Sequence, residues 1–217
     1  MKIEREEASA ARISARTALI MVLFTLAFTT LMAWVYVSTK GAIEASDAEE
    51  KLRLIGEVLP PDAYDNALLK DSVEIAAAPE LGMTHPSRAY RARKAGKPVA
   101  LVIEAAAPDG YSGKIELILA VRVDGEAASV SAVRVTGHRE TPGLGDYIDP
   151  KKDGNKQQPW IDQFAGAGLA KQWRVKKDGG PFAQRAGATI SARAVTQAVG
   201  RALQFAADNQ KRLFAEP

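Results

Sequence analysis

The stretch 114-KIELILAVRVDGEAASVSAVRVT-136 decides the fold. Residues 114–123 are rich in branched side chains, although they alternate poorly between apolar and polar. Asp124-Gly125 is a strong turn signal, and 128–136 returns with a strand-like pattern, so the segment reads as a β-hairpin. Towards the N-terminus, 88–94 and 99–106 flank Ala-Gly-Lys-Pro and read as a second, weaker hairpin. Towards the C-terminus, residues 137–187 are rich in glycine, carry Trp160 and Phe164, and read as loop. Residues 191–214 then place Val195, Val199, Leu203 and Phe205/Ala206 on one stripe at helical spacing. Thr and Ser stand just ahead of this helix and Lys211-Arg212 lie in its last turn, which suits both termini. Together these elements predict an α+β domain, an antiparallel sheet with helices packed on it.

A different solvent is written at the other end. Residues 17–37, TALIMVLFTLAFTTLMAWVYV, run for 21 positions without a charge. A helix of that length spans about 31 Å, enough to cross a hydrocarbon core of roughly 30 Å. It is apolar all round rather than striped, and it ends in bulky Trp-Val-Tyr-Val rather than in small cleavage-site residues. We therefore expect an uncleaved, single-pass membrane anchor. Lys2, Arg5, Arg12 and Arg16 precede it and only Lys40 follows closely, so the N-terminus (1–16) is expected in the cytoplasm. The neck, 38–60, has apolar residues at helical spacing and stops at Pro60-Pro61. Residues 61–217 would then form one domain on the outer, periplasmic side of an inner membrane.

Composition limits the chemistry. The 217 residues include no cysteine and two histidines, His85 and His138. Disulfides, thiolate metal sites, iron–sulfur ligation and cysteine nucleophiles are excluded, and a histidine-rich metal centre has little material. A net charge of +3 is too small to argue for nucleic acid as a partner. It is also uneven: residues 41–80 hold ten acids against three bases, whereas 81–217 hold 13 acids against 21 bases. An acidic neck thus joins a basic body, as solvated surface or as a docking face.

Three constellations could carry chemistry. Gly187-Ala188-Thr189-Ile190-Ser191 opens the last helix, where small residues permit close approach and free amides favour an anion. The same pattern also suits an ordinary helix cap by Thr189 or Ser191. Gly137-His138-Arg139-Glu140-Thr141-Pro142-Gly143-Leu144-Gly145-Asp146 forms a compact turn, either a hairpin decoration or a backbone shelf for a planar ligand. His138 alone reads as structural. Tyr111-Ser112-Gly113 says only that a turn leads into a strand.

The order of these pieces is more informative than any one of them. An apolar anchor, GYSGKIELILAV, DGEAASVSAVRVTGHRETPGLGD, VKKDGG and GATISARAVTQAV follow one another. This series resembles the membrane-anchored, FMN-binding G subunits of Rnf electron-transport complexes (RnfG, also called RsxG). It is similar, more distantly, to the NqrC subunits of the sodium-pumping NADH:quinone oxidoreductase. The resemblance covers the anchor and about 110–205; residues 60–105 match no pattern.

That resemblance implies FMN as the cofactor, joined by a phosphoester to Thr189 by a separate flavin transferase. Ala186 stands where Ser or Thr is common in the family, and Ala183 where an Asp often precedes the motif. Glu140, Thr141, Gly143, Leu144 and Gly145 match the loop that lies against the isoalloxazine ring, and Gly187, Ala188 and Ser191 flank the attachment point. The implied function is electron relay within a membrane complex that couples ferredoxin and NAD to ion translocation. The partners would be the other subunits of that complex. No catalytic residue and no metal are implied, and the chain would be a redox subunit without a complete active site of its own. Two alternatives remain, an NqrC-like carrier and a periplasmic scaffold without a redox role.

Overall fold

A computed structural model describes residues 2–125 and 127–215, with side chains from 12 onward except at Asp124. Met1, Glu126, Glu216 and Pro217 lie outside the described residues, as do the side chains of Lys2 and Arg5. The outer ends of the expected 1–16 and 61–217 segments therefore fall outside them. The chain divides into two compact units, residues 1–50 and 51–217.

Helix α1 (Lys2–Gly56) makes up the first unit, and its last residues belong to the second. Within the first unit its apolar side chains, Phe24, Leu26, Phe28 and Trp34 among them, are exposed on all sides. The helix is long and apolar enough to cross a membrane by length and composition. Three of its threonines bond back onto the helix itself. The Thr17, Thr25 and Thr39 hydroxyls donate to the carbonyls of Ile13, Met21 and Val35, at 3.0, 2.8 and 2.9 Å. Such bonding back onto the preceding turn removes the need for an outside partner in lipid.

The second unit is built on five strands: β1 (Ser72–Ile75), β2 (Ser87–Lys94), β3 (Lys97–Gly110), β4 (Gly113–Asp124) and β5 (Ala127–Gly137). They pair in sequence order and every pair is antiparallel. A long helix, α2 (Thr189–Ala215), packs on one face. This is the α+β architecture expected from the sequence, an antiparallel sheet with helices packed on it.

The poor alternation of 114–123 has a physical cause. Ile115, Leu117, Leu119 and Val121 point into the core beneath α2, while Ile118 and Ala120 point the other way. That second face is covered by Ile55, Val58, Leu59 and Leu68. A strand buried on both faces has no solvent side to keep polar, so period-two alternation fades. Each fully buried Leu or Ile here contributes on the order of 1.5–3 kcal/mol.

Several boundaries differ from the sequence reading. The first hairpin turns on Ala95-Gly96 alone; Lys97 and Pro98 belong to β3, opposite Lys94 and Arg93, beside a bulge between Ala92 and Arg93. The turn between β4 and β5 begins one residue later than expected, because Asp124 still pairs with Ala127. Tyr111-Ser112 forms the tip of a hairpin closed by Gly110 and Gly113. The α2 helix starts two residues earlier than expected, at Thr189. Residues 137–187 are mostly loop, with short 3-10 turns at 146–148, 160–164 and 176–178. An aromatic ladder fastens this loop: Tyr147, Trp160, Phe164, Phe182 and Trp173 follow one another with ring centroids 5.0–5.4 Å apart.

Candidate cofactor site

Three segments far apart in sequence meet at the N-terminus of α2. The tip of the β3–β4 hairpin supplies Tyr111, the loop after β5 supplies Glu140, Thr141, Leu144 and Gly145, and the helix start supplies Gly187, Ala188, Ile190 and Ser191. Together they line an open cleft of about 110 Å³. Seven of the nine residues singled out from the sequence therefore share one cleft. The remaining two adjoin it. Gly143 sits in the same turn with φ of +72°, and Thr189 is the half-buried first residue of α2, between two lining residues.

The cleft is held by one buried carboxylate. Glu140 is 4% exposed. Its Oε2 accepts a 2.5 Å hydrogen bond from the Ser191 hydroxyl, and its Oε1 accepts the Ser112 amide at 3.1 Å. The Glu140 amide in turn donates to His138 Nδ1 at 3.1 Å, so His138 serves the loop backbone. Ser191 is itself 1% exposed, and its hydroxyl is committed to the carboxylate. Charge-assisted bonds of this kind are roughly twice as strong as neutral ones.

Close approach makes small residues necessary. A Cβ on Gly145 would stand 2.9 Å from Glu140 Oε2 and 3.0 Å from Ser191 Oγ; one on Gly110 would stand 2.9 Å from Glu140 Oε1. Gly187 has φ of +83°, the left-handed region that favours glycine, and leaves Leu144 Cδ1 close to the start of α2. Behind the helix start, the Tyr147 hydroxyl accepts the Arg185 amide at 3.1 Å and donates to the Ala188 carbonyl at 3.4 Å. Burial raises the Tyr147 pKa, so this phenol stays a neutral donor. Arg185 lies over the Tyr147 ring at 4.5 Å and pairs with Asp153. Burial of Asp153 opposes its charge, but the amides of Trp160 and Asn155 and the Arg185 guanidinium prevail and hold its carboxyl below the usual range.

The cleft combines polar groups with a larger share of apolar lining. The exposed large apolar side chains described beyond α1 are Tyr111, Leu144, Leu169 and Ile190, and three of these four border the cleft. Apolar side chains gathered round a concave site mark a ligand edge rather than casual exposure. The sequence reading names Tyr111 only as part of a turn and gives Ile190 no site role of its own. Ile190 sits inside the quoted Gly-Ala-Thr-Ile-Ser string, and its apolar side chain at the first turn of a capped helix was the available signal. Tyr111 gave none, because its place at the mouth depends on the length of β3.

Comparison with known proteins agrees with this geometry. The family model described as FMN-binding domain matches residues 110–204, a span that contains every lining residue of the cleft. A second model, RnfG N-terminal region, matches residues 1–58. The chain thus carries a domain of the FMN-binding class behind an N-terminal helix long and apolar enough to cross a membrane. The G subunit of the ion-translocating oxidoreductase complex of Shewanella baltica (strain OS223) is 42% identical over 202 residues, covering 91% of this chain and 92% of its own. The corresponding G subunit of Pseudomonas aeruginosa strain PAO1 is 41% identical over 213 residues, 96% of both chains. The crystal structure of Shewanella oneidensis NqrC matches 70% of this chain and 73% of its own, with 19% identity and a TM-score of 0.42. The chain belongs to the family of G subunits of ion-translocating oxidoreductase complexes.

Proposed function

We propose that this chain is an electron-carrying subunit of an Rnf-type membrane complex and that its carrier is FMN held covalently at Thr189. The observation that carries the reading is the cleft at the start of α2, which has an apolar rim, lies within the FMN-binding span and adjoins Thr189, the first residue of that helix. FMN, when bound, supplies reversible electron transfer, a chemistry that a chain without cysteine lacks among its own side chains.

The residues divide the work of holding it. Thr189 offers its Oγ1 for a phosphodiester, and the unpaired amides of the first turn of α2 stabilise the charge of that group. Gly187 and Ala188 keep the backbone accessible beside it. Leu144, Ile190 and Tyr111 form apolar walls for a planar ring and limit water. The Thr141 carbonyl takes the amides of Leu144 and Gly145 and closes the turn, which leaves the Gly143 backbone at its tip to meet ring-edge polar atoms. Glu140 and Ser191 hold the loop to the helix. A covalent tether keeps the cofactor at high effective concentration and prevents its loss to the outer compartment.

On this reading residues 17–37 span the inner membrane, 38–60 form the neck, and 61–217 form the periplasmic FMN domain. The N-terminal 16 residues face the cytoplasm, as their basic flank favours. The other subunits of the complex supply and remove the electrons, between ferredoxin and NAD, in a process coupled to ion movement. Maturation requires a flavin transferase.

The test is coexpression of the full chain with a flavin transferase, followed by a denaturing gel under ultraviolet light and mass spectrometry of the flavin peptide. Fluorescence at the chain's mass, lost in Thr189→Val, supports the reading; a dark wild-type band refutes it. Copurification with Rnf-type subunits rather than with NADH:quinone oxidoreductase subunits separates the two carrier assignments.

A further inference from the structure

We infer that Glu140 is a positioning residue that reserves Thr189 as the attachment hydroxyl by engaging the competing hydroxyl of Ser191. The inference rests on the Thr189 reading above and goes beyond it, because it assigns to Glu140 a task other than touching the flavin.

Two hydroxyls stand two residues apart at the start of α2. Thr189 is half-buried and flanked by cleft-lining residues, whereas Ser191 is 1% exposed and donates its proton to Glu140 Oε2 at 2.5 Å. In the attachment step a hydroxyl oxygen bonds to phosphorus while the phosphoanhydride bond of a flavin dinucleotide donor breaks. The hydroxyl proton passes to a base of the transferase, and the nucleoside monophosphate departs. No oxidant or reductant is needed. Donating a proton to a carboxylate leaves a hydroxyl's lone pairs in place, so it is burial that excludes Ser191: held inward by Glu140 and 1% exposed, its oxygen is out of reach of an incoming phosphate. Thr189, half-buried between two residues of the cleft lining, is less enclosed.

The carboxylate also pre-forms the cleft. Its two oxygens join the hairpin tip at Ser112 to the helix start at Ser191, and glycines at 110 and 145 make the space in which it sits. Neither glycine could carry a Cβ at its present position without pushing on the carboxylate. Three segments with no other covalent or strand pairing at this point therefore converge on one side chain. Removing it frees Ser191 and loosens the mouth of the cleft together.

The experiment compares the full-length wild type, Glu140→Ala, Glu140→Gln and Ser191→Ala, each coexpressed with a flavin transferase. Total flavin per chain is measured, and the modified residue is located by peptide mass spectrometry. Wild type should carry FMN on Thr189 alone. Glu140→Ala should lose about tenfold or more in loading rate, the scale expected when one partner of a buried charge-assisted bond is removed. The flavin it does carry should divide between Thr189 and Ser191, and Glu140→Ala/Ser191→Ala should return it to Thr189 alone. Glu140→Gln keeps the shape but has one acceptor oxygen for two donors, so it should load at a rate between those of wild type and Glu140→Ala. Glu140→Gln also keeps the inference testable should Glu140→Ala fail to fold. Wild-type loading on Thr189 alone in both Glu140 variants overturns the inference. A wild type without flavin refutes the proposed function instead, so the two failures are distinguishable.

Discussion

Gly145→Ala is the sharpest test of how tightly the cleft is built. Gly145 has φ of −95°, which alanine adopts freely, so its backbone does not complicate the result. The added methyl would stand 2.9 Å from Glu140 Oε2, 3.0 Å from Ser191 Oγ and 3.3 Å from Glu140 Cβ. Ordinary van der Waals contact needs at least 3.4 Å, so the carboxylate or the hydroxyl must retreat. Opening by several tenths of an ångström takes this 2.5 Å bond from the short, charge-assisted range towards the long end of the ordinary range and weakens it. Overpacking of a tight site costs about 1–3 kcal/mol, and a weakened charge-assisted bond about 1.5–3 kcal/mol. The two overlap, because relieving one produces the other, so the net expectation is about 2–3 kcal/mol. For a unit of this size that lowers the melting midpoint by about 4–12 °C. The control is Gly154→Ala, where the added methyl meets nothing within 4 Å and the backbone is unrestricted. Circular dichroism melts of both full-length variants in the same detergent provide the comparison. A midpoint for Gly145→Ala within about 1 °C of Gly154→Ala would refute the claim that Glu140 and Ser191 close the cleft.

Three further perturbations bear on other parts of the molecule. Because the folded state lowers the Asp153 pKa, its ionised form adds stability above the unfolded-state value near 4, and that contribution fades as pH falls. Asp153→Asn should therefore melt below wild type at pH 7, with the gap closing as pH falls below about 4 in a pH series of thermal melts. Gly200→Ala sets two terms against each other. Alanine favours a helix interior by about 1 kcal/mol, but its Cβ would stand 2.5 Å from Trp173 Cγ, and overpacking should win by about 1–2 kcal/mol in urea unfolding. Since the chain has no cysteine, single replacements report topology directly. An impermeant maleimide applied to spheroplasts should label Gly154→Cys and leave Ser14→Cys unlabelled until the membrane is opened.

The hairpin at 113–137 and α2 were legible because each carries its own period and its own stop signals. Where reading failed, the missing information was tertiary. β1, four residues long, has no pattern of its own and exists because β2 offers it an edge. The full length of β3, to Gly110, was hidden because Pro108-Asp109-Gly110 has the composition of a turn, whereas the strand continues past a bulge between Ala107 and Gly110. That error also concealed Tyr111, which reaches the mouth of the cleft only when β3 is long enough to carry it there. The loop residues 140–145 and the string 187–191 could be paired from family resemblance but not from spacing. The link between them is a hydrogen bond across 51 positions, and no local pattern encodes such a bond.

Residues 60–105, which carry none of the motifs quoted above, acquire a physical role through the far end of α2. Arg91 pairs with Asp71 and donates to the Leu213 carbonyl at 3.3 Å; Arg93 also pairs with Asp71 and donates to the Phe214 carbonyl at 3.1 Å. The last carbonyls of a helix lack intrahelical partners and carry its negative end, so two guanidiniums there satisfy both needs. Arg93 also lies over the Phe214 ring at 5.2 Å. The helix is thus held at its C-terminus by β2 and at its N-terminus by Glu140, while its middle, Val195, Val199 and Leu203, packs on the sheet. With both ends fixed, α2 cannot slide along its axis. A shift of a single residue would move Thr189 by about 1.5 Å and rotate it by about 100° around the helix. On the proposed reading, in which Thr189 must meet a flavin transferase, attachment requires that register. Strand β2 therefore contributes to the site without touching it.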